Sequence, residues 1–136
     1  MIRTLEIETS GPGLTEFTDR LARLVPPGDG LASLFVRHTS CSLLIQENAD
    51  PDVQADLADW AVRTVPRADD AAMGWLRHTA EGPDDMPAHI RAAILPVSLS
   101  IPCRDGRLML GRWQGVYLWE HRDRPRRRQV AVHFAA

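Results

Sequence analysis

The sequence contains no lysine, and all 16 of its basic residues are arginine. A chain without lysine cannot form a lysine Schiff base and cannot supply the lysine of a phosphate-binding P-loop. Cysteine is almost as scarce, because only Cys41 and Cys103 are present, far apart in the sequence. The absence of a Cys-x-x-Cys pair excludes a thiolate zinc knuckle. Two separate cysteines predict small buried thiols rather than a disulfide in a cytosolic chain.

Long apolar segments are also missing, since no run approaches the roughly 20 residues that a membrane span requires. Residues 1–6 end on an acid, Glu6, where a signal peptide needs its apolar stretch. We therefore expect a soluble cytoplasmic protein with no membrane partner. The net charge of −2 provides no global basic field, so we expect no nucleic-acid partner.

The composition is that of a globular protein, with 44% hydrophobic and 25% charged residues. A length of 136 residues suits one compact domain, which we expect to span residues 1–136. Neither repeats nor low-complexity segments interrupt it.

Apolar periodicity predicts the secondary structure. Alternation around Leu5 and Ile7 indicates a half-buried strand, and helical spacing indicates a first helix between Leu14 and Leu24. Asp105-Gly106 is typical of a tight hairpin turn. Further apolar segments predict strands at 31–38, 41–46, 97–103, 108–110, 116–121 and 129–134. About seven strands and three helices define an α+β domain with a mainly antiparallel sheet.

Two more helices are predicted, each with an acidic residue at its start. Asp50 precedes Pro51, a favoured arrangement at a helix N-terminus. Asp85 caps the third helix. The predicted buried faces are Val53, Leu57, Trp60 and Ala61 on the second helix, and Met86, Ile90, Ala93 and Ile94 on the third. The irregular segment 66–84 between them is long for so small a domain, which is typical of a functional or mobile loop.

Five histidines carry the strongest chemical signal. Four of them lie where elements are predicted to end, at His38, His78, His89 and His121, whereas His133 lies inside a strand and is read as structural. Three imidazoles with one open position would suit Zn²⁺ and activate a bound water. An oxygen-rich set would instead suit Mg²⁺, and its candidates are Glu47, Asp84 and Asp85.

The arginine-rich segment 122–128 has two interpretations, a solvated turn or a set of bidentate phosphate ligands. The third helix offers a second anion site through its free N–H groups. Asp84 and Asp85 would oppose a bare phosphate there unless a metal bridged the two charges. A Cys41–His38 nucleophile pair is disfavoured, because residues at odd separations along a strand point to opposite faces.

Three blocks of the sequence, 38–51, 78–90 and 101–122, resemble the YjbQ family in the family's own order. The most specific segments are His38-Thr39-Ser40, the run from Glu81 to Ile90, and Trp113-Gln114-Gly115 followed by Glu120-His121-Arg122. The resemblance covers nearly the whole chain.

This resemblance implies a jelly-roll-like β-sandwich flanked by helices, a homotrimer, and a polar pocket that the histidines make capable of binding a divalent metal. It also implies a secondary thiamine-phosphate synthase reaction. In that reaction a pyrimidine methyl diphosphate is joined to a thiazole phosphate and diphosphate is released.

The resemblance also assigns roles to individual residues. The metal ligands would be His78, His89 and His121, and His38 would be a fourth ligand or a proton carrier. The catalytic group would include Glu81, which orients a histidine through its second nitrogen, together with Asn48 and Arg122. The substrate-binding positions would be Glu47, Asp84, Asp85, Gln114 and Arg122.

Two alternatives use the same residues. One is metal-assisted hydrolysis of a phosphorylated metabolite. The other is a non-enzymatic trimer whose histidines hold a metal or an anion.

Overall fold

The computed structural model describes residues 1–136 and contains eight β-strands and three α-helices. The strands are β1 (Ile2–Glu8), β2 (Gly13–Glu16), β3 (Gly30–Val36), β4 (Cys41–Glu47), β5 (Ser98–Arg104), β6 (Arg107–Leu108), β7 (Gln114–Glu120) and β8 (Arg127–Ala135). The helices are α1 (Thr18–Ala22), α2 (Pro51–Thr64) and α3 (Asp85–Ile94). A short 3-10 helix at Ala71–Met73 lies within the otherwise irregular segment before α3.

The strands form two antiparallel sheets. The larger sheet has five strands in the order β1-β8-β3-β5-β6, and the smaller has three in the order β2-β7-β4. This arrangement confirms an α+β domain with mainly antiparallel pairing. The sheets form a curled arrangement and not the clear jelly-roll sandwich that the resemblance implies. None of the helices is long and apolar enough to cross a membrane.

The core lies between the inner faces of the two sheets. A cluster of 15 buried apolar residues draws on β1, β3, β5 and β8 from one sheet and on β4 and β7 from the other. Both cysteines belong to it as free thiols, as the sequence predicts. Burial raises the pKa of the Cys41 thiol to about 12, which keeps the group protonated and chemically inert.

The first helix is shorter than predicted. Residues 13–16 form β2 instead, which pairs with β7 from Gly13 opposite Glu120 to Glu16 opposite Tyr117. Only Thr18–Ala22 is helical, with Leu21 buried. The spacing of Leu14, Phe17 and Leu21 satisfies a helix locally, but a partner strand outweighs so weak a local preference.

The predicted apolar faces of α2 and α3 are only partly buried. On α2, Ala61 is buried but the Trp60 side chain is 43% exposed. On α3, the buried residues include Asp85 and Arg91, whereas Ile94 is 57% exposed. The buried face of α3 thus combines the small apolar residues Ala88 and Ala92 with two charged ones. Asp85 pairs with Arg122, and Arg91 donates through Nη2 to Val65 O at 2.6 Å.

A buried ion pair fixes the end of β7. The Glu120 carboxylate is fully buried and accepts hydrogen bonds from Arg128 Nε at 2.8 Å and from Thr9 Oγ1 at 2.9 Å. Arg128 also donates to Ser40 Oγ at 2.9 Å, which ties β8 to the segment entering β4. Burial alone would raise the pKa of Glu120, but the hydrogen bonds and charge of Arg128 lower it overall. Glu120 therefore stays ionised inside the protein.

We expect Arg128→Ala to destabilise the protein by about 3–5 kcal/mol, because the buried Glu120 carboxylate loses its counter-charge. Arg127→Ala is the matched control. Arg127 is exposed and its nearest acid is the exposed Glu8 at 3.4 Å, so its loss should change stability by about 0.5 kcal/mol or less. The free energy of unfolding in urea measures both, and equal losses would contradict a structural role for the buried pair.

Candidate functional site

Three side chains converge at the start of α3. His78 Nε2 lies 2.8 Å from Asp85 Oδ2, and His89 Nε2 lies 3.3 Å from the same oxygen. One ligand atom from each residue lies within 4.8 Å of the other two. We call this group the His–Asp–His cluster. It is the only group of three or more such side chains in the structure with this spacing.

Local structure explains the convergence. Asp85 and His89 are four residues apart on α3, so they lie on the same face of the helix. His78 comes from the preceding loop, which a hydrogen bond from Ala68 N to Pro83 O closes at 2.9 Å. The loop turns at Gly82, whose φ of +104° favours glycine.

The hydrogen bonds of His89 define its tautomer. Nδ1 donates to the carbonyl oxygen of Thr39 at 2.8 Å, so in the neutral ring Nε2 carries a lone pair. That lone pair faces the Asp85 carboxylate oxygen at 3.3 Å. Two electron-rich atoms this close require a proton or a cation between them. The arrangement fits a metal ligand whose second nitrogen is held by a backbone carbonyl.

Arg122 holds Asp85 in place from the other side. Its Nη1 donates to Asp85 Oδ1 at 2.7 Å, its Nε donates to Asp84 Oδ2 at 2.8 Å, and its Nη2 donates to Glu81 O at 3.3 Å. Burial acts to raise the pKa of Asp85, but the His78 hydrogen bond and the nearby His89 and Arg122 lower it overall. Asp85 is therefore an ionised ligand candidate. Because all three guanidinium nitrogens of Arg122 are engaged, we assign it a positioning role.

A polar pocket of about 380 Å³ adjoins Arg122. Its walls are mostly charged and include Glu81, Asp84, Asp123, Arg124 and Arg126. The Nε of Arg126 is buried without a hydrogen-bond acceptor. The pocket is connected to the His–Asp–His cluster through Arg122, which lines it and donates to Asp85.

His38 follows the end of β3 and lines the same cavity as His89. Its Nε2 accepts a hydrogen bond from the backbone N–H of Gln129 at 2.8 Å. Burial and the charge of Arg128 lower its pKa, although Glu120 acts in the opposite direction. Because Nε2 is occupied, Nδ1 is the ring nitrogen that remains for an external partner.

His121 lies outside the His–Asp–His cluster. Its ring is 2% exposed, Nε2 lies 2.9 Å from Ser42 Oγ, and the ring centroid is 5.5 Å from that of Trp119. The buried Nδ1 has no partner. Burial, reinforced by the charge of Arg91, lowers the pKa of His121 to about 3. The structure therefore holds a neutral imidazole here.

Three predicted site residues lie at the opposite end of the smaller sheet. The β4–β7 register pairs Cys41 with Glu120 at one end and Glu47 with Gln114 at the other. At roughly 3.3 Å per residue, these two ends are about 20 Å apart. Asn48 follows Glu47 and donates to Glu16 Oε2 at 3.3 Å. Within one chain, Glu47, Asn48 and Gln114 therefore do not meet the histidines.

The sequence reasoning missed two backbone contributions, the Thr39 carbonyl that orients His89 and the Gln129 N–H that binds His38. No side-chain pattern could have revealed either one. Asp85 was predicted as a substrate ligand and as a member of an oxygen-rich Mg²⁺ set, and its four-residue spacing from His89 is the signal that could have grouped it with a histidine instead.

The fold and this cluster define a small α+β protein with a metal-capable polar site. The chain matches the family model described as "UPF0047 protein YjbQ-like" over residues 3–136. The chain belongs to this YjbQ/UPF0047 family, which confirms the resemblance found in the sequence.

Individual relatives agree with this assignment. The UPF0047 protein sll1880 of Synechocystis is 52% identical over 132 residues, covering 95% of this chain and 87% of the relative. YjbQ of Salmonella typhimurium is 50% identical over 107 residues, covering 79% and 74% of the two chains. The crystal structure of the conserved hypothetical protein TT1486 from Thermus thermophilus is 35% identical and superposes with a TM-score of 0.85, covering 98% of this chain and 99% of that one.

The buried neutral His121 should make stability depend on pH. Its pKa is about 3 in the folded protein and near 6.5 when unfolded, so only the unfolded chain gains this proton as the pH falls below 6.5. This proton uptake lowers the free energy of unfolding by about 2 kcal/mol between pH 7 and pH 5. His121→Gln should remove that part of the loss in urea titrations. The control His133→Gln, at an exposed position, should retain it, and equal pH dependence in both variants would contradict the assignment.

Proposed function

We propose that this protein is a divalent-metal-dependent enzyme that acts on a phosphorylated small molecule. The observation that carries the proposal is the His–Asp–His cluster, in which a lone pair of His89 and the ionised Asp85 carboxylate face each other at 3.3 Å. His78 would complete a set of two nitrogen ligands and one oxygen ligand.

This donor set favours Zn²⁺ over Mg²⁺, since imidazoles suit zinc whereas magnesium prefers oxygen ligands and water. When bound, such an ion would supply Lewis acidity at a phosphoryl oxygen or at a water molecule. The outer partners would be the Thr39 carbonyl for His89 and Arg122 for Asp85. Glu81 would not orient His78 through its second nitrogen, because its Oε2 lies 3.9 Å from Nε2, the nitrogen that faces Asp85.

The polar pocket supports a phosphorylated substrate. Arg124 and Arg126 line it, and guanidinium groups are favoured partners of phosphate oxygens. Arg122 contributes positive charge to the same wall while its nitrogens hold the acids. A phosphoryl group there would lie beside the His–Asp–His cluster.

The reaction implied by the resemblance is the joining of a pyrimidine methyl diphosphate to a thiazole phosphate, with metal-assisted hydrolysis as the alternative. A homotrimer is the assembly implied with it. A shallow apolar depression on the outer face of the larger sheet, which includes the exposed Ile2, supports self-association. A trimer without turnover remains the non-enzymatic alternative.

We expect His89→Ala to weaken Zn²⁺ binding by roughly 100-fold or more, because even loss of an outer partner of a metal ligand costs about 10–100-fold. His133→Ala is the control, since His133 lies exposed on β8. Competition with a chromophoric chelator measures both affinities. Unchanged zinc affinity in a well-folded His89→Ala variant would reject the metal site.

Product analysis distinguishes the candidate reactions. Zinc-loaded protein given both phosphorylated precursors should form thiamine phosphate and diphosphate in equal amounts if it is a synthase. Phosphate release from one substrate without a coupled product would favour hydrolysis. Either activity should be lost in His89→Ala. Ligand binding without turnover on any substrate would favour the non-enzymatic alternative.

A further inference from the structure

A second cavity borders the His–Asp–His cluster and shares no lining residue with the polar pocket. It has a volume of about 370 Å³, and its walls are formed by Phe35, Val36, Ala92, Ala93 and Val97. We call it the apolar groove. His89 lines this groove and also belongs to the cluster, so the two are continuous through one imidazole ring.

The groove contains one unused ring donor. His38 lines it, and the Gln129 N–H that reaches His38 Nε2 at 2.8 Å requires a lone pair on that nitrogen. The proton of the neutral ring is therefore on Nδ1. Because no protein atom accepts a hydrogen bond from Nδ1, this N–H is available to a ligand. A polar donor in an apolar wall is the usual way a small-molecule pocket fixes orientation.

We propose that the apolar groove holds the apolar body of the phosphorylated substrate and that His38 donates from Nδ1 to an acceptor atom on that body. This inference rests on the proposed function, because it places the phosphoryl end at the cluster and the polar pocket. His38 is thereby a substrate-binding residue with a fixed tautomer rather than a fourth metal ligand.

The groove also narrows the class of substrate. Its side chains offer hydrogen bonds only through His38, Thr39 and His89, and His89 already uses Nδ1 for Thr39 O. The several hydroxyls of a sugar phosphate would find few protein partners along these walls. The groove therefore favours a phosphate ester whose body is largely apolar and carries few acceptors.

Calorimetry on zinc-loaded protein tests the groove. Phenyl phosphate should bind about tenfold more tightly than inorganic phosphate, because its ring is removed from water. Ala93→Phe fills the groove from an exposed position on α3 and should abolish this ratio while leaving phosphate binding unchanged. Ala58→Phe, at an exposed position on α2, is the matched control and should keep the ratio.

The outcomes separate the two proposals. If inorganic phosphate binds but phenyl phosphate binds no more tightly, the groove inference is wrong and the proposed function stands. If neither binds in the presence of zinc, both are wrong. A preference for phenyl phosphate that survives Ala93→Phe would also overturn the inference. So would a change in sedimentation coefficient caused by Ala93→Phe alone, because the groove would then bind another copy of the chain.

A matched pair of ligands tests the hydrogen bond. Pyridin-3-yl phosphate differs from phenyl phosphate by one ring acceptor, and it should gain several-fold in affinity from His38. His38→Asn keeps a donor near the position of Nδ1 and should retain that gain, whereas His38→Gln should lose it. Nitrogen-15 NMR of the unmodified protein should show Nδ1 protonated and Nε2 unprotonated. A protonated Nε2, or a gain that persists in His38→Gln, would overturn the donor role.

Discussion

The carboxylate of Asp85 is almost wholly buried, and a buried charge is tolerated only when other groups compensate it. Its partners come from three parts of the chain: Arg122 follows β7, His78 belongs to the loop before α3, and His89 lies one turn further along α3. The ion pair with Arg122 and the contact with His78 hold the end of the smaller sheet and the loop against α3. His89 lies on α3 itself and faces the same carboxylate oxygen, so the candidate site forms around this one buried anion.

The sequence predicts correctly those parts of the fold that depend on interactions between neighbouring residues, such as helix caps and tight turns. Asp50 accepts a hydrogen bond from Asp52 N at the start of α2, and the Asp105-Gly106 turn has the positive φ values of a tight hairpin. The first helix was predicted to be too long, because residues 13–16 form β2 and this strand depends on its pairing with β7. The inward face of α3 was misjudged because periodicity assumes that apolar residues turn inward. On this helix the paired charge of Asp85 is buried beside Ala88 and Ala92, while Ile94 is exposed.

The same distinction between local and long-range interactions applies to the candidate site. Histidines at element ends were recognisable from the sequence, but which of them meet depends on loop closure and strand register. His78 and His89 converge on Asp85, whereas His121 bonds to Ser42. Glu47 and Gln114 are separated from this end by the length of β4. Such distances are long-range properties of the pairing, so a resemblance can identify site residues without showing which of them share one cavity.

The reactivity of the two cysteines can report the local unfolding of each sheet separately. Cys41 lies on β4 of the smaller sheet and Cys103 on β5 of the larger, and both thiols are buried and reduced. A buried thiol reacts with an alkylating reagent only after its surroundings open, so each residue records the local unfolding of its own sheet. Equal modification rates would mean that the domain opens as one unit. Different rates would identify the sheet that yields first, without any label or mutation added to the chain.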